Sequence, residues 1–155
     1  MNFKEKTVLF LATGFKAGNM PFAPGTFGTV LGLPLCFLLS KIDFPIAMMG
    51  GAIFVLLTIW ISHRAQKILK LNDPRCIVVD EISGFMITLL GIPFNLISSA
   101  LGFIIFRIID IAKPFPIRFL EKKITGGMGI VMDDVVAGIY GNMLVRIILH
   151  LKETY

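Results

Sequence analysis

Residues 45–62, PIAMMGGAIFVLLTIWIS, run for eighteen positions without a charge. A helix of that length comes close to crossing the hydrocarbon core of a bilayer, which takes about 20 apolar residues. Further apolar runs occupy residues 29–40, 77–92, 96–112 and 130–151. None alternates apolar and polar residues with the period of two that a half-buried strand requires, so the expected fold is all-α. Hydrophobic residues make up 55% of the chain and charged residues 16%, against about 25% charged in a soluble domain. Mean hydropathy is +0.83. The expectation is a compact helical bundle in the form of a polytopic membrane protein, with four to five apolar helices. The competing reading is a compact soluble helical bundle. At 155 residues the chain is expected to be a single domain over 1–155 with room for a sizeable core.

Runs shorter than about 20 residues are expected to be tilted, re-entrant or buried in protein. The N-terminal stretch MNFKEKTVLFLATGFKAG starts basic, but its apolar core at 8–12 is shorter than the roughly 7–15 residues of a signal peptide. It reads as a retained interfacial segment. Residues 63–75, HRAQKILKLNDPR, read as an exposed basic helix stopping at Asn72-Asp73-Pro74.

If the chain crosses at each of the five apolar runs, twelve Lys and Arg fall on one side, against Lys41, Arg146 and Lys152 on the other. The positive-inside rule places the first side in the cytoplasm. Asp80, Glu81, Asp110, Asp133 and Asp134 then gather at that same face, although only apolar and basic residues set the topology.

Such acids need a reason to be there. Two carboxylates about 4 Å apart repel by roughly 4 kcal/mol at an effective dielectric near 20. They raise one another's pKa or bind a cation. Hard oxygen ligands suit Mg²⁺, held by carboxylates together with substrate phosphate oxygens. Soft ligands are missing: His63 and His150 share no helical face, and Cys36 and Cys76 have no companion motif and read as small apolar residues. Arg107, Asp110 and Lys113 recur at spacing three, one stripe of a helix that Pro114 then stops. Two readings stay open for them: an internal ion-pair ladder, or a phosphate clamp beside a metal. Arg118 either extends the clamp or anchors to headgroups.

In APGTFGT, Thr26 is expected to act as helix N-cap, and Gly25 and Gly28 let backbone approach closely. No Lys follows the last glycine, so this is not a Walker loop. GGMG at 126–129 reads as a tight turn returning Asp133 and Asp134 to the acids. No GxSxG motif is present, and no basic patch interleaved with aromatics points to nucleic acid. No obligate protein partner is evident.

The stretches LATGFKAGNMPFAPGTFGT (11–29), DPRCIVVDEISG (73–84) and FRIIDIAKPFPIRFLEKKITGGMGIVMDDVVAG (106–138) together resemble the phosphatidylglycerophosphatase A family. The resemblance implies a Mg²⁺-dependent enzyme of the bacterial inner membrane, converting the lipid phosphatidylglycerophosphate to phosphatidylglycerol and phosphate at the cytoplasmic face. It does not assign each acid a task. Asp80, Glu81, Asp133 and Asp134 are expected to hold the metal directly or through water, and Asp110 to be a further ligand or the general base. Asp80 and Asp134 thereby take part in catalysis. An aspartyl-phosphate intermediate is open, but direct attack by water is the simpler route where a metal activates it. Gly25, Thr26, Arg107, Lys113 and Arg118 would face the phosphate. The alternatives are a phosphatase for another lipid phosphate, a cation-coupled transporter with acids spread through the bilayer depth, and a structural subunit whose acids are neutralised internally.

Overall fold

The computed structural model describes residues 1–71 and 74–154; Asn72 and Asp73, part of the expected helix stop, lie outside the described residues. Every regular element among these residues is helical: α1 (Phe3–Ala12), a 3₁₀ turn (Ala17–Asn19), α2 (Pro24–Leu39), α3 (Phe44–Leu69), α4 (Val79–Leu89), α5 (Leu96–Ala112), α6 (Ile117–Lys123) and α7 (Gly127–Thr154).

α1 opens on a capping box. The Asn2 side chain accepts from the Glu5 backbone N–H at 2.8 Å, and Glu5 returns a bond to the Asn2 N–H at 2.9 Å. Its ten residues span about 15 Å, half a bilayer core, so it cannot cross alone. α3 joins two stretches that the sequence reading separates. The uncharged run and the first part of the basic stretch, as far as Leu69, form one helix of 26 residues, because no glycine or proline interrupts residues 52–69. α3 and α7 have the length and apolar composition to cross a membrane. Both leave large apolar side chains outward, among them Leu56, Leu57, Met143 and Ile147.

α4 behaves differently. It has eleven residues, and nine of them are buried. Its 77–92 run is apolar all round because protein covers it all round, by α2, α3, α5 and most extensively α7. The core beneath it holds Phe85, Met86, Phe106, Ile109 and Ile117, with the Phe85 ring edge-on to Phe103 at 6.1 Å between centroids. At Gly84 the α4 and α7 backbones approach so closely that a Cβ would sit 2.6 Å from the Asp134 carbonyl oxygen. Only a missing side chain permits that distance.

The far end of α4 is tied to α7 as well. Asn142 Nδ2 donates to the carbonyls of Ile87, Thr88 and Leu90 at 3.1, 3.0 and 2.9 Å. Arg146 Nε donates to Asn142 Oδ1 at 2.8 Å, and its Nη2 donates to the Leu90 and Gly91 carbonyls. These bonds satisfy carbonyls that a helix end leaves open. Asn142→Leu is therefore expected to lower stability by about 1–3 kcal/mol, read as an earlier thermal transition in detergent. An unchanged transition would mean that other donors serve these carbonyls.

Candidate active site

Asp80 and Glu81 lie in the first turn of α4, where the positive end of the helix dipole favours anions. The close α4–α7 contact at Gly84 sets them against Asp134. Asp80, Glu81 and Asp134 each offer a carboxylate oxygen, all within 4.8 Å of one another. Each also keeps one buried oxygen with no hydrogen-bond partner: Asp80 Oδ1, Glu81 Oε2 and Asp134 Oδ1. Buried carboxylate oxygens in that condition call for a proton or a compensating cation. The donor set is all oxygen and hard, so the residues fit a divalent cation of the Mg²⁺ type.

The acids line a cavity of about 560 Å³, shared with Arg107, Asp110, Lys113 and Asp133. The expected stripe of Arg107, Asp110 and Lys113 is only half realised. Arg107 Nη1 donates to Asp110 Oδ2 at 2.7 Å, and Asp110 in turn lies against Asp134. Lys113 leaves the stripe, because α5 stops at Ala112 and Lys113 takes a left-handed backbone, φ 43°, just before Pro114. Its Nζ instead donates to Asp133 Oδ2 at 2.8 Å and Glu121 Oε1 at 2.9 Å. Burial works against the ammonium charge, but those two bonds outweigh it and hold Lys113 above the usual lysine range. The cavity therefore keeps a fixed positive charge at neutral pH.

Asp133 stands apart from the three-acid group. One of its oxygens is taken by Lys113, and the other accepts from the Asp134 N–H at 3.1 Å. The N-cap expectation for Thr26 is corrected. α2 begins at Pro24, with Ala23 as N-cap in a left-handed conformation, and the Thr26 N–H donates to the Ala23 carbonyl. Pro24 presets the helical φ, so the helix starts three residues earlier than a threonine cap requires. Gly25 lines the cavity and Thr26 does not. A Cβ on Gly25 would run into Glu81 Oε1 and stand 3.0 Å from Arg107 Nη1. Arg118 is exposed and turned away, its Nη2 donating to the Ala112 carbonyl at 3.1 Å. His63 packs against the start of α7, near the Gly127 N–H. Sequence reasoning passed over Glu121, the second partner of Lys113. The sequence offers no register for it, because the prolines at 114 and 116 separate α5 from α6.

Acids fit to hold a hard cation and two bases fit to meet an anion share one cavity in an apolar helical protein, and that pairing defines a class that handles phosphate groups. Relatives agree. The chain is 36% identical over 141 residues to a phosphatidylglycerophosphatase A of Escherichia coli (strain K12), covering 90% of this chain and 82% of the relative. It is 38% identical over 139 residues to a phosphatidylglycerophosphatase A of Haemophilus influenzae, covering 87% and 84%. A Bacteroides thetaiotaomicron protein with the provisional name phosphatidylinositol-3-phosphatase is 37% identical over 151 residues, covering 90% and 91%. No solved structure matches. Residues 10–149 match the family described as Phosphatidylglycerophosphatase A, and the chain belongs to that family. It is accordingly an enzyme of the phosphoric monoester hydrolase class.

Proposed function

We propose that the protein removes the terminal phosphate of phosphatidylglycerophosphate, giving phosphatidylglycerol and inorganic phosphate, with Mg²⁺ as cofactor. The observation that carries this reading is the set of three unpartnered carboxylate oxygens on Asp80, Glu81 and Asp134, in the cavity that also holds Arg107 and Lys113. The cation would be held by those three acids and, when bound, supplies Lewis acidity toward a phosphoryl oxygen. Arg107 and Lys113 neutralise the remaining phosphoryl oxygens, where charge develops as the phosphorus–oxygen bond to glycerol breaks. Asp110, fixed through Arg107, accepts the proton of the attacking water and returns it to the leaving glycerol oxygen. Asp133 keeps Lys113 aimed into the cavity. The lipid tails remain in the bilayer, and the headgroup reaches the acids at the cytoplasmic face of the bacterial inner membrane.

The name carried by the Bacteroides relative favours a second reading, hydrolysis of a different lipid phosphate, since the same phosphate machinery serves any headgroup that fits. One assay separates the two. Purified protein in detergent is given phosphatidylglycerophosphate, phosphatidic acid or phosphatidylinositol 3-phosphate, with Mg²⁺ or excess chelator. The expected result is phosphate release that depends on Mg²⁺ and favours the first lipid. Release that chelator does not reduce refutes the metal assignment, and preference for another lipid transfers the reading to that headgroup.

A further inference from the structure

A second groove, of about 760 Å³, lies between α1 and the end of α3, separate from the acids. Its walls include Lys4 and Val8 of α1, and Trp60, Arg64, Lys67 and Lys70 at the end of α3. Along α3, residues Ile53, Leu57, Trp60, Arg64 and Lys67 follow one another at alternating steps of four and three. They therefore share one face of the helix, and all five are exposed. That face passes from aliphatic to aromatic to cationic over its length. The Arg64 guanidinium carbon lies 5.7 Å from the Trp60 ring centroid. Among the described residues, Lys4, Arg64, Lys67 and Lys70 form no ion pair. The carboxylate in this groove, Glu5, is occupied in capping α1.

α3 has the length and composition of a membrane span, and a tryptophan next to basic residues marks where such a helix leaves the hydrocarbon. We propose that this groove binds an anionic phospholipid at a site distinct from the catalytic cavity. The lipid phosphate sits among Lys4, Arg64, Lys67 and Lys70, the glycerol level meets Trp60, and an acyl chain lies along Leu57 and Ile53. A zwitterionic lipid brings its own ammonium into the same four cations and is disfavoured.

Trp60 is the sole tryptophan of the chain, so its fluorescence reports this groove alone. The full chain is reconstituted in phosphatidylcholine–phosphatidylglycerol bilayers in which one lipid or the other carries brominated acyl chains. Each cation near an anionic surface favours binding by about 1 kcal/mol, or about fivefold. Brominated phosphatidylglycerol is thus expected to quench at least about fivefold more effectively than its bulk mole fraction predicts. The Arg64→Gln/Lys67→Gln variant lowers that ratio by at least about fivefold, since two of the four cations are gone. Both side chains are exposed, and a Lys4→Gln/Lys70→Gln variant gives an independent second reading; circular dichroism confirms that each stays helical. Equal quenching by the two lipids in the unmodified protein overturns the proposal, as does a preference that neither variant diminishes. Loss of the preference on adding soluble glycerophosphate at constant ionic strength also overturns it, by assigning the groove to free phosphate.

Discussion

Asp80→Asn and Asp134→Asn are each expected to lower turnover at limiting Mg²⁺ by about a hundred- to a thousandfold. The reason is that each removes one of three oxygen donors that converge within 4.8 Å. Loss of activity alone does not separate a ligand from a structural residue, but stability does. In the absence of a divalent cation the three acids repel one another, and replacing one carboxylate by a neutral amide relieves part of that repulsion. Two carboxylates about 4 Å apart repel by roughly 4 kcal/mol at an effective dielectric near 20. The Asn variants are therefore expected to melt no earlier than the unmodified protein in chelator. Added Mg²⁺ raises the transition of the unmodified protein by linkage, and that rise is lost in the variants. If instead either acid were a structural ion-pair partner, its Asn variant would melt earlier in chelator. Near-normal turnover in both variants would falsify the metal-site assignment.

Gly25→Ala is expected to reduce kcat by about a hundredfold, the scale of loss when reacting groups are displaced by about 1 Å. The added methyl collides with Glu81 Oε1 and stands 3.0 Å from Arg107 Nη1, so it pushes an acid and its neighbouring base at once. Gly25 is not at a positive φ, hence the alanine backbone is unstrained and the loss arises at the site. Gly50→Ala is the matched control. There a Cβ meets nothing nearer than a Leu39 methyl at 3.9 Å, and activity should be unchanged. Equal activity of the two variants would show that Glu81 and Arg107 can shift without consequence, contrary to the proposed roles.

Much of the site is legible in the sequence because charge is costly in an apolar chain. Acids at the ends of oily runs stand out, and alternating the runs gathers them at one face from the sequence alone. The helical class is legible for the same reason: the runs are long and lack alternation. What escapes is what depends on neighbours. The 77–92 run is short for a span, which leaves tilted, re-entrant and buried all open, and nothing local selects the enclosure by protein that α4 has. The Arg107–Asp110–Lys113 stripe fails at its last member because one left-handed residue before a proline redirects a flexible side chain to Asp133 and Glu121. Thr26 has the right chemistry for a cap, yet Pro24 beside it starts the helix first. Spacing rules assume a regular backbone, and the misses at Lys113 and Thr26 lie where the backbone stops being regular.

The enclosure of α4 has a consequence for biosynthesis. An eleven-residue helix is too short for the insertion machinery to hold as a span of its own. Its most extensive packing partner, α7, starts at Gly127 and leaves the ribosome well after α4. Until then Gly84 faces no partner backbone, Asn142 and Arg146 do not yet exist to close the helix end, and Asp80 and Glu81 lack Asp134. The two halves of the proposed metal-binding group are thus synthesised apart and joined only when the last helix docks, so a chain interrupted before α7 carries Asp80 and Glu81 without Asp134.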